Sequence, residues 1–274
     1  MRRFVTLLVL CCILATPAFA AIRKTSPLPP LPSAAQGVSV PILLYHRLGP
    51  VVADGMTIPT PTFESQLRYL RDNGYRVIPL RRLVDWYHGA APAPPAKSVV
   101  IVADDGHKSI YTDMLPLVRK YRVPVTLFIY PSAISNAKYA MTWDQLRELK
   151  KTGLFDFQSH TYWHPNFKKE RKRLKPAEFD RFTAMQLQKS KEKIERELGG
   201  RVDMLAWPFG IYDDDLIKRA AAAGYRATFT IERHHATAAD KVMKLPRYLL
   251  VAADQGKAFA QLLAGHGPRR NVVY

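Results

Sequence analysis

Short apolar runs recur along this chain, separated by stretches with helical periodicity, and that alternation narrows the available folds more than any other feature. Residues 98–103, Ser-Val-Val-Ile-Val-Ala, form an unbroken β-branched run that stops at Asp104-Asp105-Gly106. Residues 155–159, Phe-Asp-Phe-Gln-Ser, form a second strand-like run that stops at His160. A continuous apolar run of this length, bounded by turn residues, is the pattern of a strand buried on both faces. Further strands are predicted over 38–45, 76–79, 125–130, 204–207, 226–231 and 245–251. Helices are predicted over 80–88, near 110–121, and over 143–152, 176–198, 213–223 and 255–263. Another begins at Thr62, read as its cap, carries Phe63, Leu67 and Leu70 at helical spacing and ends at Asn73-Gly74. Pro176 suits a first helical turn, and Gly199-Gly200 stops the longest helix. Strands alternating with helices imply right-handed βαβ units around a parallel sheet. The number of strands, and the chemistry gathered at their C-terminal ends, favour an α/β barrel over an open sheet.

The ends of the chain are of a different composition. Residues 1–20 combine Arg2 and Arg3, an apolar run from Phe4 to Leu14, and Ala18 and Ala20 around Phe19. This is the pattern of a cleaved signal peptide, the apolar run being shorter than the roughly 20 residues of a membrane span. Lipidation at Cys11 is disfavoured by the large Leu10 before it. Residues 21–37, with Pro27, Pro29, Pro30 and Pro32, read as an extended tether, leaving one domain over 38–274. Both cysteines, Cys11 and Cys12, fall in the leader, so the mature chain offers neither a disulfide framework nor a thiolate metal site. The formal charge of +18 over 274 residues falls by two, to +16, when Arg2 and Arg3 are removed. Such an excess favours anionic surroundings such as envelope polymer, or simply keeps a solvated surface soluble. Lys168-Lys-Glu-Arg-Lys-Arg173 reads as a charged loop before a helix. It is not interleaved with any nucleic-acid motif, so nucleic acid is not expected as a partner.

Adjacent carboxylates repel when both are ionised, so Asp104 and Asp105 call for a cation or a shared proton, unless the pair serves only as a turn or helix cap. His160 and His164 are four apart, a spacing at which two imidazoles can face one metal. The zinc-protease motif needs glutamate after its first histidine, where this chain has Thr161, and Pro165 opposes a continuing helix. A proton-accepting base must then come from elsewhere, with Asp104 or Asp105 the candidates. One carboxylate and two imidazoles leave a coordination position open, as a catalytic site requires.

This combination resembles the polysaccharide deacetylases of the NodB-homology type, carbohydrate esterase family four, over residues 38–263. The resemblance implies a distorted (β/α) barrel that removes acetyl groups from N-acetylglucosamine polymers or from xylan. It assigns Asp105, His160 and His164 to the metal and Asp104 to the general base. Zinc suits that ligand set best, with nickel, cobalt or iron also accommodated. Ala206-Trp207-Pro208-Phe209-Gly210 is similar to the family's third motif, a groove wall, but has Ala206 where an arginine commonly holds the catalytic aspartate. Arg247 resembles the arginine of a related branch and is the expected substitute. The family's Leu-x-His motif, source of the general acid, has no clean copy near His266, whereas Leu44-Tyr45-His46 fits at the first strand. That order resembles the branch acting on poly-β-1,6-N-acetylglucosamine exopolysaccharide in biofilms. Ala103, often phenylalanine in relatives, and His107, read as a loop residue, depart from the pattern. Tyr130 and Trp207 are the aromatics expected against a sugar ring, with Tyr162, Trp163 and Phe209 nearby.

The expectation is an exported enzyme, periplasmic or extracellular, without a membrane span after leader cleavage. Peptidoglycan N-deacetylation and xylan O-acetyl esterase action are the enzymatic alternatives. A catalytically weak glycan-binding protein is the alternative of another class, motivated by the missing third-motif arginine.

Overall fold

The computed structural model describes residues 37–266. The expected signal peptide, nearly all of the expected tether, and residues 267–274 lie outside that range. The described chain runs β1 (Ser39–Val40), β2 (Ile42–Tyr45), β3 (Arg47–Gly49), β4 (Thr57–Pro59), α1 (Thr60–Asp72), β5 (Arg76–Val77), α2 (Leu80–Tyr87) and β6 (Ser98–Asp104). It continues through α3 (Leu115–Tyr121), β7 (Val125–Ile129), α4 (Trp143–Lys151), β8 (Phe155–Ser159), α5 (Phe167–Arg173) and α6 (Pro176–Leu198). Last come β9 (Met204–Ala206), α7 (Asp214–Ala222), β10 (Ala227–Phe229), β11 (Ala236–Thr237), β12 (Tyr248–Leu249) and α8 (Gly256–Leu263).

The main sheet has the order β10-β9-β8-β7-β6-β2-β12, every pairing parallel, with β5 joining the start of β6. One segment links its two edges. Leu245 exchanges backbone hydrogen bonds with Thr228 and Thr230 beyond β10, while Tyr248 and Leu249 pair with Leu43 and Leu44 of β2. The sheet therefore curls into the distorted (β/α) barrel expected from the alternating pattern.

Side-chain alternation then decides what faces inward. Ile42, Leu44, Val100, Val102, Phe128, Met204, Ala206, Ala227, Phe229 and Leu249 form one cluster, into which α2 packs Leu80, Leu83 and Val84. Leu43, Tyr45, Val99, Ile101, Leu127, Phe157 and Leu205 pack instead beneath the helices. Arg81 of α2 pairs with Asp203 at 3.0 Å, just before β9, so α2 closes the barrel at the strands' N-terminal ends. Stepped by two residues, the inward parity of Leu44 gives His46 just past β2, that of Val102 gives Asp104 at the end of β6, and that of Leu249 leads back to Arg247 just before β12. Apolar residues thus fill the barrel's lower part and polar ones emerge together at the opposite mouth.

Several local expectations are corrected. Thr62 is not a cap: α1 begins at Thr60 after Pro59, and the Thr62 hydroxyl lies 3.4 Å from Gln255 Oε1. The charged stretch 168–173 is no loop but α5, whose Asn166 side chain accepts from the Lys169 N–H at 3.0 Å. The strand expected over 245–251 shrinks to Tyr248–Leu249, because the segment leaves β10 at Leu245 to reach β2.

Candidate metal centre and catalytic pocket

Asp104 ends β6 and is 2% exposed. The next two residues take left-handed backbone, φ 71° at Asp105 and 72° at Gly106, which swings the Asp105 carboxylate back beside the first. Glycine is required at the second position, since a Cβ there would lie 2.9 Å from Ile134 Cδ1. On the neighbouring loop, Thr161 and His164 are also left-handed, at φ 65° and 61°. Gln186, wholly buried on α6, pins that loop by accepting from the Tyr162 and Trp163 N–H groups at 3.1 and 2.8 Å. Non-glycine residues in this region cost energy, and such strain gathers where side chains must be aimed.

The aim is convergent. His160 Nδ1 lies 2.8 Å from the Ala206 carbonyl, which can only accept, so Nδ1 carries the hydrogen and the Nε2 lone pair points into the pocket. That Nε2 is 3.6 Å from Asp104 Oδ2 and 3.6 Å from Asp105 Oδ1, and His164 Nε2 is 3.7 Å from the same Asp105 oxygen. Asp105 Oδ1 is buried without a hydrogen-bond partner among the described residues, although it faces both imidazoles. Donor atoms of Asp105, His160 and His164 all lie within 4.8 Å of one another. Zinc–ligand bonds of about 2.0–2.2 Å at tetrahedral angles would put donors roughly 3.4 Å apart. The three residues fit one divalent ion.

Electrostatics point the same way. Burial, reinforced by Asp104, raises the Asp105 carboxyl to about 7. Burial lowers His164 to about 4, and burial with the adjacent His164 holds His160 well below its ordinary value. Neutral imidazoles keep the lone pairs that a metal needs, and an orphaned carboxylate gains most from a cation.

Asp104 is held separately. Arg247, fully buried, donates from Nη1 to Asp104 Oδ1 at 2.8 Å and from Nε to the Thr230 carbonyl at 2.9 Å. An arginine from the segment that closes the barrel thus contacts the aspartate, where the motif around Ala206 has none. His46, 8% exposed, lines the same pocket of about 170 Å³ with Asp104, Asp105, His160 and His164. Its Nδ1 has no hydrogen-bond partner among the described residues, and burial pushes the ring down to about 3. His266 is elsewhere. It is exposed just past α8, whose Leu262 carbonyl binds His235, itself 2.7 Å from Ser39 Oγ at the start of the barrel's first strand segment. That is the mouth opposite the pocket.

The aromatics separate into roles. Trp207 is wholly buried, edge-on to Phe167 at 5.9 Å, and borders the catalytic pocket as part of its wall. Pro208 is buried beside it. Phe209 is left-handed at φ 56°, which brings its ring 4.5 Å from His164, and Tyr130 lies 5.1 Å away on the other ring contact. Tyr130 is half-buried, its hydroxyl bonded to that of Tyr139. Tyr162 lies under Lys189, while Trp163 is 53% exposed and leans on Phe182. His107 bonds Ser109 and stacks on Tyr139. Arg47, Met56 and Ile231 also line the pocket and were not anticipated. Arg47 was signalled only by following His46; Met56 and Ile231 carry no sequence signal.

Residues 91–228 match the family model described as polysaccharide deacetylase. The chain is 26% identical to Bacillus subtilis YxkH over 224 residues, which is 80% of this chain and 74% of that protein. It is also 26% identical to the poly-beta-1,6-N-acetyl-D-glucosamine N-deacetylase of Staphylococcus aureus over 192 residues, 69% of this chain and 66% of the relative. Among solved structures it is similar to the Streptococcus pyogenes deacetylase PplD, with a TM-score of 0.73, 22% identity, and coverage of 82% of this chain and 98% of that one. IcaB from Ammonifex degensii gives a TM-score of 0.71 and 24% identity over 85% of this chain and 99% of that one. These structural likenesses establish a common fold, and the family model spans just over half of the sequence: the chain belongs to the polysaccharide deacetylase family.

Proposed function

We propose that this protein is an exported, divalent-metal-dependent N-deacetylase acting on N-acetylglucosamine-containing exopolysaccharide of the poly-β-1,6-linked kind. The observation that carries the reading is the joining of two arrangements in one pocket. Asp105, His160 and His164 present a ligand set, and Asp104, gripped by Arg247, stands beside it as a spare carboxylate. The substrate follows the Staphylococcus aureus relative, whose name specifies that polymer.

When bound by Asp105, His160 and His164, the ion, zinc by preference, supplies Lewis acidity that polarises the acetamido carbonyl and acidifies water. The chain's own residues do the rest. Asp104 accepts the proton of the attacking water, and Arg247 keeps its carboxylate oriented. His46, which burial leaves neutral, relays to the departing nitrogen the proton that Asp104 has taken from the water, so that the C–N bond breaks to acetate and a glucosamine unit. His160 and His164 remain neutral, and the Ala206 carbonyl fixes the His160 ring. Arg247 weakens the glycan-binding alternative, because an arginine does reach the aspartate despite Ala206.

The leader over 1–20 and the tether over 21–37 support export to the periplasm or beyond, and no described helix is long and apolar enough to cross a membrane. The basic surface would draw the protein to anionic envelope polymers. The test is acetate release from poly-β-1,6-N-acetylglucosamine oligomers beside peptidoglycan and acetylated xylan. Release from the first should dominate. Dominance of peptidoglycan or xylan would replace the substrate, and none from any would favour the binding protein.

A further inference from the structure

Helix α6 packs on β8, and part of the face it buries there is polar. Gln186 and Ser190, four residues apart and both fully buried, stand where apolar side chains would cost less. Their partner is the loop that carries His160 and His164. Gln186 Oε1 accepts from the Tyr162 N–H at 3.1 Å and from the Trp163 N–H at 2.8 Å. Ser190 Oγ lies 2.8 Å from Ser159 Oγ, which accepts from the Thr161 N–H at 3.1 Å. The Thr161 hydroxyl in turn accepts from the His164 N–H at 3.2 Å. Each backbone donor from Thr161 to His164 is thus bonded to a side-chain oxygen, the first three by way of α6. Side chains add to the grip. The Tyr162 ring lies 4.5 Å from Lys189 Nζ and the Trp163 ring 5.7 Å from Phe182, so Phe182, Gln186 and Lys189 meet the loop as one helical face.

The loop needs such a brace. It leaves the sheet after Ser159 and takes left-handed backbone at Thr161 and His164, which non-glycine residues keep only where their surroundings over-determine it. His160 has the Ala206 carbonyl to orient its ring. His164 follows the turn itself, directly after the two N–H groups that Gln186 holds. A loop free to turn these N–H groups toward water would carry His164 away from Asp105.

We propose that Gln186 is a positioning residue for the metal centre, with Ser190 supporting it through Ser159. The inference rests on the reading of Asp105, His160 and His164 as metal ligands and is independent of which glycan is cleaved. Gln186 acts through the backbone of the loop. Because α6 orders the loop when the chain folds, binding the ion does not have to order it, and affinity rises accordingly.

The experiment measures zinc affinity by competition with a chromophoric chelator, so no turnover is needed, and reads the Tm of each metal-free protein alongside. Gln186→Met keeps the length of the side chain and removes the acceptor. Its zinc affinity should fall by about tenfold to a hundredfold, the scale on which metal sites respond to loss of the groups that orient their ligands. Gln186→Glu, which keeps an oxygen for both N–H groups, should stay within about threefold of wild type. Leu187→Ala is the packing control, since Leu187 is buried on the same helix. It should lower Tm at least as much as Gln186→Met and leave zinc affinity unchanged. Ser190→Ala is a milder change that should weaken zinc about threefold, and it carries the test if Gln186→Met does not fold. Wild-type affinity in Gln186→Met, or in Ser190→Ala should the first not fold, would overturn the proposal. So would an equal loss in Leu187→Ala or in Gln186→Glu. A wild-type protein that binds no zinc would overturn the metal reading itself, and the proposal with it.

Discussion

At the scale of single residues, the site is a set of orphaned groups that make sense only together. Asp105 Oδ1 and His46 Nδ1 are buried without hydrogen-bond partners among the described residues, a cost of about 1–3 kcal/mol each unless something else satisfies them. Arg247 Nη1 and Asp104 Oδ1 pair at 0% and 2% exposure, while Arg247 Nη2 has no partner among the described residues. Removing one member of such a pair leaves the other charge buried, so Arg247→Met should cost roughly 3–5 kcal/mol of stability as well as activity. Urea denaturation checks this; a loss under 1 kcal/mol would mean that Asp104 relaxes to another partner. His46 makes a chemical prediction. If it protonates the departing nitrogen, His46→Ala should slow amide hydrolysis by about 10²–10⁴-fold and spare a phenyl acetate ester, whose phenolate leaves without a proton. Equal losses on both substrates would remove His46 from that role, and His266→Ala should affect neither. Ligand spacing made the metal residues legible in the sequence. The Arg247–Asp104 contact spans 143 residues, so no local pattern could reveal it, and only the family resemblance suggested it.

At the scale of elements, period-two alternation carries most of the placement. Ala206 shares the inward parity, so Trp207 turns toward the helices, where it packs edge-on to Phe167 while still bordering the pocket. The helical form of 168–173 left no such trace, because a charge run carries no apolar period. A sensitive point lies just before β11. His235 bonds the Leu262 carbonyl at 2.9 Å and Ser39 at 2.7 Å, joining α8 to the first strand, and burial lowers its pKa. The folded ring resists protonation while the unfolded one accepts a proton near its ordinary value of about 6.5. The unfolded state therefore binds more protons below that pH, and stability falls as pH drops through 6.5 toward the folded value. His235→Gln, which cannot titrate, should show a shallower fall in Tm between pH 7 and pH 5 than wild type. An identical slope would assign the acid sensitivity to other buried groups.

At the scale of the whole molecule, the fold was legible because alternating strands and helices admit few topologies, and because barrel sites gather at one mouth. The way the barrel closes was not, since Leu245–Leu249 serves two edges with hardly any strand of its own. The net charge of +18 belongs to this scale as well. Attraction to anionic envelope polymer should weaken sharply as salt rises, because exposed charges are screened over about 8–10 Å at physiological ionic strength. Salt-indifferent binding in a sedimentation assay would instead place the contact in the groove. The central claim, that Asp105, His160 and His164 hold an ion without which Asp104 has nothing to act upon, has a direct measurement. Acetate release from a poly-β-1,6-N-acetylglucosamine oligomer is followed with chelator-stripped protein as zinc is returned in steps. The account predicts no release from stripped protein and recovery complete at one zinc per chain, with Asp104→Asn binding the same single zinc and staying silent. Release undiminished by stripping, or Asp104→Asn turning over at the wild-type rate, would contradict it.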